Sequence, residues 1–396
     1  MHETRITTEI LITFGGLFLV GLLADLLGRY TPLPRVTLLL LAGILMGPSV
    51  LDWLPAFTRD WFPLLTNIAL AMIGFMLGAK ITLSTLNEAG RAVLALSIGI
   101  VVTTVVVVFA VLSLFGVPFE IALLLAGIAT ATAPAATMDV VNEYRARGRF
   151  TDTLLGIVAI DDAWGLLVFT LLIAVVQAST GTGGIGEALA SGAWETGGAI
   201  LLGVILGVPM AYITGRIHPG APTQAEALGL VLLCAGLALW AGVSYLLAAI
   251  VMGTVVANLA KHHERPFHAV RGFEWPFLIL FFLLAGASLH IEELSQIGLL
   301  GAAYIVLRIL GRILGAQIGG LLCGAASDTR RWMGLALLPQ AGIAIGMALL
   351  ASQRFPQFEA VILPVVLGSS VVFEIFGPVL TRRVLIRMGD IRNDDS

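Results

Sequence analysis

Charge is scarce in this chain: Asp, Glu, Lys and Arg make up 12% of its 396 residues, about half the share found in soluble domains. Cysteine is nearly absent. Cys234 and Cys323 are the only two, and they lie in apolar runs without a spaced framework, which excludes a disulfide scaffold and a structural zinc site. Positive charge is not in excess either. With 22 basic and 25 acidic residues the net charge is −3, so there is no electrostatic footprint for nucleic acid. What the chain has is apolar: 58% of its residues are hydrophobic and 45 are glycine. A helix needs roughly 20 apolar residues to cross a hydrocarbon core of about 30 Å, so the length has room for about thirteen crossings and little for a soluble domain. The composition therefore predicts an all-α polytopic membrane protein. The N-terminal segment, Met1 to Arg5, leads into an apolar run reaching Leu27 without a small-residue cleavage site, and reads as a retained span and not a signal peptide.

Hydropathy over a window of about 19 residues places spans at 8–28, 36–51, 62–82, 92–115, 118–141, 151–177, 194–215, 225–241, 243–260, 273–290, 296–322, 331–351 and 360–384. The eighth and ninth are separated only by Gly242, and loop charge provides a separate check on the count. Alternate loops carry Arg29 and Arg35; Lys80 and Arg91; Arg145, Arg147 and Arg149; Arg216; Lys261, Arg265 and Arg271; Arg330 and Arg331; and finally Arg382, Arg383, Arg387 and Arg392. The opposite set carries Arg5, Arg59 and Arg354 alone. Cytoplasmic loops hold the excess of Lys and Arg, so the N-terminus is expected outside, the C-terminus inside, and 387–396 as a short cytoplasmic tail. Loss of one crossing would destroy the alternation.

Two basic residues remain, Arg308 and Arg312, in the middle of the eleventh span. The deep acids are Asp161 and Asp162 in the sixth span and Glu374 in the thirteenth. An ionised side chain at the bilayer centre costs about 2.5–3.5 kcal/mol on insertion scales. One buried Arg–Asp pair could merely fix helix register, but such a pair has no need of a second carboxylate. Neighbouring residues on a helix point about 100° apart, so Asp161 and Asp162 cannot face one partner, while Arg308 and Arg312, four apart, share a face. The simplest geometry pairs Asp161 with one of the arginines and turns Asp162 toward a cavity. Asp25, Asp139, Glu143, Glu226 and His290 fall near span ends and read as solvated or snorkelling groups.

The fifth span contains Thr132-Ala-Pro134 and the twelfth Pro339-Gln340-Ala-Gly342. Proline removes a helix hydrogen bond and clashes with the preceding turn, freeing carbonyls that side chains, water or a cation must satisfy. The two interruptions occupy matching places in spans four to six and eleven to thirteen. That offset of seven spans inverts the topology, and interrupted segments at matching places in inverted halves mark the midplane site of a transporter. The freed carbonyl ends are expected to favour a cation, with the Asp pair supplying negative charge.

In this order the motifs resemble the monovalent cation:proton antiporter superfamily, in particular its bacterial sodium/proton exchangers of the NapA and NhaA type. The resemblance covers nearly the whole chain. Leu33-Pro-Arg with Gly43 and Gly47-Pro48 is similar to the second-span motif, Thr132-Ala-Pro134 to the unwound crossing helix, and Ile160-Asp161-Asp162 to the paired-acid motif. Leu307-Arg308 through Gly311-Arg312 to Gly315 is similar to the basic helix, Pro339-Gln340 to the second crossing helix, and Phe373-Glu374 with Gly377-Pro378 to the last span.

The resemblance implies an NhaA-like fold with inverted repeats and two discontinuous crossing helices. It implies scaffold and dimerisation helices in 1–91 and 225–295, an ion-transport core in 92–177 and 296–386, and a linker in 178–224. It further implies an elevator-type exchanger of the plasma (inner) membrane that serves pH homeostasis, forms a homodimer, contacts membrane lipid and needs no cofactor. The transported Na⁺ (or Li⁺) and H⁺ would bind at Asp162, with Thr132 contributing and Asp161 paired to Arg312, the better family match, or Arg308. Glu374 would support the core. Three positions depart from the family pattern: Ala133 stands where some members carry an acid, Gly78-Ala79-Lys80 replaces Gly-Leu-Glu, and Arg312 stands where electrogenic two-aspartate relatives place lysine. The paired acids suggest two protons per cation, whereas arginine, which keeps its proton, argues against the lysine-based version of that mechanism. A K⁺/H⁺ antiporter on the same fold is the alternative. The acid motifs of an intramembrane aspartyl protease or a magnesium-dependent prenyltransferase are missing, and paired carboxylates disfavour an organic-acid symporter.

Overall fold

The computed structural model describes residues 2–30, 35–55, 57–82, 90–180, 185–213, 223–260, 264–287, 298–340 and 342–391. Among them there is no strand. Lipid supplies no hydrogen-bond partner for a backbone, so each segment that crosses it must satisfy its own N–H and C=O groups, and the helix does so. The helices are α1 (His2–Tyr30), α2 (Arg35–Met46), α3 (Thr58–Gly78), α4 (Gly90–Leu114), α5 (Phe119–Ile128), α6 (Pro134–Glu143), α7 (Arg149–Thr180) and α8 (Ile185–Ile213). They continue with α9 (Thr223–Ala241), α10 (Tyr245–Leu259), α11 (Glu264–Ala287), α12 (Gly298–Leu322), α13 (Ser327–Ala336), α14 (Gly342–Arg354) and α15 (Glu359–Arg387).

Seven of these helices, α1, α4, α7, α8, α9, α12 and α15, are long and apolar enough to cross a bilayer unaided, and α11, bent by 42°, makes an eighth if counted as one span. The other five expected segments fall on the shorter helices α2 and α10, on the apolar part of α3, Pro63–Gly78, and on two pairs, α5/α6 and α13/α14. The outer surface has the inverted character of a protein dissolved in lipid, with Leu11, Leu201, Leu299, Leu314 and Leu321 all exposed, a distribution unsuited to water.

Sequence accounts for several boundaries directly. The expected span 36–51 is cut short at Met46, because Pro48 has no N–H to donate and disfavours helical backbone at Gly47. Gly242 divides α9 from α10 by adopting φ +66°, and Val243 N donates back to Ala238 O at 2.9 Å. Ser244 then caps α10, accepting from Leu247 N at 3.3 Å. Two spans that hydropathy nearly fuses are thus parted by one residue that tolerates left-handed backbone.

Two features position the acid-bearing helix α7. Its N-terminus is capped from the far end of the chain: Thr151 N and Oγ1 donate to Asp390 Oδ2 at 2.8 and 2.7 Å, and Arg147 N donates to Asp390 O at 2.9 Å. A carboxylate there satisfies orphan donors and complements the helix dipole. Alongside, a buried apolar cluster draws only on α4, α6, α7, α12, α13, α15 and the residues joined to them, with Leu96, Ile100, Leu154, Ile157, Ala316, Met333 and Leu385 at its centre.

Helices α4 and α12 approach each other closely. A methyl added at Gly315 would lie 2.5 Å from Ile100 Cα, and one added at Gly99 would lie 2.6 Å from Gly319 Cα. With Gly311 one turn further along, α12 carries small residues every four positions, the pattern that lets membrane helices meet backbone to backbone. Gly315→Leu should therefore destabilise the protein by about 1–3 kcal/mol through overpacking, read as a lower melting temperature in detergent. Gly301→Leu on the same helix, with nothing within 4 Å, should melt like the parent, and equal melting of the two variants would refute the seam.

Candidate functional site

The helix pair α5/α6 is interrupted at residues 129–133, with Pro134 as the first residue of α6, and α13/α14 is interrupted at 337–340, with Gly342 opening α14. The two interruptions touch: Ala133 N donates to Pro339 O at 2.9 Å. Helix α15 comes close to the same point, since a methyl on Gly377 would lie 2.7 Å from Pro339 Cα. An interrupted helix leaves carbonyls exposed to a low-dielectric interior, where each unsatisfied group costs several kcal/mol. Most of their partners come from α12, and one from the second interruption.

Arg308 and Arg312 are both fully buried. Arg308 donates from Nε to Ala129 O (3.2 Å), from Nη1 to Leu338 O (2.8 Å) and from Nη2 to Ala131 O (2.8 Å). Its guanidinium carbon lies 4.2 Å from the centroid of the Phe373 ring. Arg312 donates from Nη2 to the carbonyls of Thr130 and Ala131, the latter at 3.2 Å. Gln340 Nε2 donates to Ile128 O at 3.2 Å. Four successive carbonyls at the end of α5 and one from the second interruption are therefore held by resident side chains. This corrects the expectation that the freed carbonyls favour a mobile cation: two guanidiniums and an amide already occupy them.

It also separates the two arginines. Arg312 forms the ion pair with Asp161, Nη1 to Oδ2 at 3.1 Å. Arg308 makes no carboxylate pair among the described residues, so its expected role as a partner of the acid pair is corrected to that of a carbonyl cap. Lying four residues apart on one face does not make the two equivalent, because a helical turn displaces one from the other by about 6 Å along the axis.

Asp161 and Asp162 on α7 are both fully buried but differ in how they are satisfied. The second oxygen of Asp161, Oδ1, accepts from Ser97 Oγ of α4 at 3.2 Å, so both its oxygens are bound. Asp162 Oδ1 accepts from Thr132 Oγ1 at 2.8 Å and from Thr132 N at 3.3 Å. Its Oδ2 is buried and has no partner among the described residues. Thr132 lies within the first interruption, so the free carboxylate oxygen stands where the helix is broken. Lys80, just beyond α3, is within electrostatic reach of Asp162.

Other sequence-derived candidates lie elsewhere. Glu374 of α15 accepts from Thr37 Oγ1 of α2, so it faces a helix outside the acid and arginine cluster. Asp139 and Glu143 are exposed and Glu226 is half-buried. The side chain of Asp25 and all of His290 lie outside the described residues. Reasoning from sequence missed Ser97, Thr37 and the reach of Lys80; only the depth of Ser97 in the fourth span hinted at the first.

A multi-pass helical membrane protein whose two interrupted helices meet beside a buried, half-satisfied carboxylate is built as an ion-coupled secondary transporter. The chain belongs to the sodium/hydrogen exchanger family, whose transmembrane model matches residues 13–388; it is a family of antiporters and not of enzymes. The ammonium/H⁺ antiporter subunit AmhT of Alkalihalophilus pseudofirmus is 25% identical over 363 residues, 89% of each chain. The structure of the sodium proton antiporter MjNhaP1 from Methanocaldococcus jannaschii at pH 8 shares the fold with a TM-score of 0.74 at 19% identity, over 95% of this chain and 99% of that one. An electron-microscopy structure of the same antiporter gives a TM-score of 0.68 at 18% identity, over 96% and 95%.

Removing one partner of a buried ion pair strands the other's charge, at a cost of about 3–5 kcal/mol. Arg312→Leu should lower the melting temperature of the detergent-solubilised protein accordingly, and adding Asp161→Leu should recover part of the loss. The recovery stays incomplete because the carbonyls of Thr130 and Ala131 lose a donor in both. A single variant as stable as the parent would refute the pairing.

Proposed function

We propose that this protein exchanges cytoplasmic Na⁺ or Li⁺ for external H⁺, with cation and proton competing for Asp162. The observation that carries the reading is the free Oδ2 of Asp162, a buried carboxylate oxygen beside a helix interruption. A buried unpaired oxygen of this kind is costly to keep, and a proton or a cation each relieves that cost. Since one carboxylate cannot hold both, loading alternates, and uptake of a proton on one side drives release of the cation on the other.

In this reading Thr132 orients Asp162, Arg312 neutralises Asp161, and Pro134, Pro339, Gln340 and Gly342 shape the crossing of two interrupted helices in an NhaA-like fold. Thirteen spans run from an external N-terminus to a cytoplasmic C-terminus in the plasma membrane. The core, 92–177 and 296–386, moves as an elevator against the scaffold of 1–91 and 225–295, joined by 178–224, with the scaffold forming the homodimer. Glu374 and Thr37 meet across the boundary between these two parts, which suits a contact that sliding would remake.

A second reading concerns the cation alone. The 25% identical relative is named an ammonium/H⁺ antiporter, and a free carboxylate oxygen accepts an N–H donor as readily as it ligates a metal ion. Because cation preference rests on cavity size and ligand number, K⁺ is tested beside Na⁺ and Li⁺, and NH₄⁺ is added as a fourth.

The test is cation-induced proton release from acid-loaded proteoliposomes, read with an entrapped pH dye. Addition of Na⁺ or Li⁺ should raise the internal pH, and Asp162→Asn should abolish the response while the variant purifies as a folded protein. Retained exchange in that variant would sink the assignment. A response to K⁺ or NH₄⁺ alone would keep the site and change the substrate.

A further inference from the structure

We infer that Arg354 and Glu195 form an outer latch: an ion pair that holds the core to the scaffold in the conformation of this structure and opens once in every transport cycle. The inference rests on the exchange reading above. Arg354 ends α14, on the side that loop charge assigns to the exterior, where basic residues are few. Its Nη2 lies 3.4 Å from Glu195 Oε1 of α8. The pair thus joins the second half of the core to a helix outside it.

The glycines distinguish contacts that are fixed from contacts that can slide. Helix α8 packs on α10 backbone to backbone, since a methyl on Gly203 would lie 2.6 Å from Ala248 O, and α10 meets α3 in the same manner, a methyl on Gly78 lying 2.6 Å from Thr254 N. Trp194 Nε1 donates to Ala241 O at 3.1 Å and Ser244 N to Glu195 O at 3.5 Å, which ties the outer end of α8 to the turn before α10. Such seams hold because neither backbone can give way, and they put Glu195 on the scaffold side of the boundary. Helix α14 faces the scaffold differently. A methyl on Gly346 would meet Leu70 Cδ2 of α3 at 2.6 Å, and one on Gly342 would meet Phe282 Cζ of α11 at 2.8 Å. Both are far ends of flexible apolar side chains, which yield and re-form their contacts at another height.

The ion pair adds charge and direction to this apolar face. Glu195 is buried, whereas the Arg354 side chain keeps 26% of its surface exposed, so water reaches the guanidinium. A pair of this kind contributes little and opens readily, unlike Arg312 and Asp161, whose complete burial makes separation costly. A second acceptor lies nearby. Tyr245, the first residue of α10, is buried, its hydroxyl has no partner among the described residues, and Arg354 is within electrostatic reach of it. A buried hydroxyl left unbonded is costly, and a shift of α14 that frees Arg354 from Glu195 offers the guanidinium that acceptor instead.

The experiment uses proteoliposomes of the full chain with an entrapped pH dye, and the chlorides of Na⁺, Li⁺, K⁺ and NH₄⁺ as separate probes. Cysteines replace Arg354 and Glu195 in a chain whose own Cys234 and Cys323 are changed to alanine. Before treatment this protein should exchange. A short ethane-bridged bis-thiosulfonate joining the two cysteines, its attachment confirmed by intact mass, should stop exchange, and a reducing agent should restore it. The same reagent on either single-cysteine chain should leave the rate unchanged. Bridged protein that exchanges at the untreated rate overturns the latch and leaves the exchange reading standing, because the two helices then need not part. No pH response of the parent chain to any of the salts overturns both.

Charge variants test the pair without cysteine. The latch sets how the protein divides between its two states, and apparent affinity follows the competent fraction. Glu195→Gln and Arg354→Gln should each change the apparent KM for the transported cation by about two- to fivefold in one direction, the size of effect a half-exposed pair carries, and the two together should do no more than either alone. Exchanging the charges, Glu195→Arg with Arg354→Glu, should bring KM back toward the parent value. A merely structural pair would move the melting temperature and leave KM where it was. Additive effects of the two Gln substitutions, or a parental KM in both, overturn the latch whether or not the cysteine variants fold.

Discussion

The structure around the site depends on one interaction: two guanidiniums of α12 satisfying the carbonyls of an interrupted helix. Without them the end of α5 would present bare C=O groups to a dry interior, which membrane proteins tolerate only where protein or water supplies partners. Arg308 and Arg312 divide that task. Arg308 is spent entirely on carbonyls and on the face of Phe373. Arg312 spends Nη2 on carbonyls and Nη1 on Asp161, and its Nε has no partner among the described residues. A single side chain thus couples helix α7 to the break in α5, and Asp161 balances the charge that the carbonyl cap brings into the membrane.

That coupling accounts for much of the surrounding packing. The arginine stems must reach across from α12, and the glycine seam between α12 and α4 lets the two helices approach closely enough to set Ser97 on the same carboxylate. The second interruption leans on the first through Ala133 and Pro339, and Gln340 closes the remaining carbonyl. When those contacts are complete, three buried polar atoms of the side chains at the break have no partner among the described residues, Arg312 Nε, Gln340 Oε1 and Asp162 Oδ2, and the last is the carboxylate oxygen. Of these it is the atom whose charge a proton or a cation would neutralise, which is why the proposed exchange is placed on it.

Much of this was legible in the residues. Apolar runs marked the helices because lipid leaves no alternative to internal hydrogen bonding. Pro134 and Pro339 marked the interruptions because the missing N–H and the ring clash are local properties. The five deep charges stood out because each is expensive at that depth. Ser97 did not stand out. A lone hydroxyl in an apolar span most often bonds to its own preceding turn, as Thr170 does to Leu166 O and Ser369 to Val366 O, and nothing local separates those from a serine aimed at another helix. Thr37 opposite Glu374 was hidden for the same reason.

The sequence by itself determined which segments are helical, where two of them break and which side chains carry charge into the membrane, because these follow from side-chain chemistry over a few residues. Only the tertiary structure decided which arginine meets Asp161, that the broken helix's carbonyls go to resident guanidiniums and an amide, and that one of two neighbouring aspartates keeps an open oxygen. Those outcomes depend on the relative rotation and height of four helices, and spacing along a single chain does not encode them. A displacement of one turn along α12 exchanges a carbonyl cap for an ion pair.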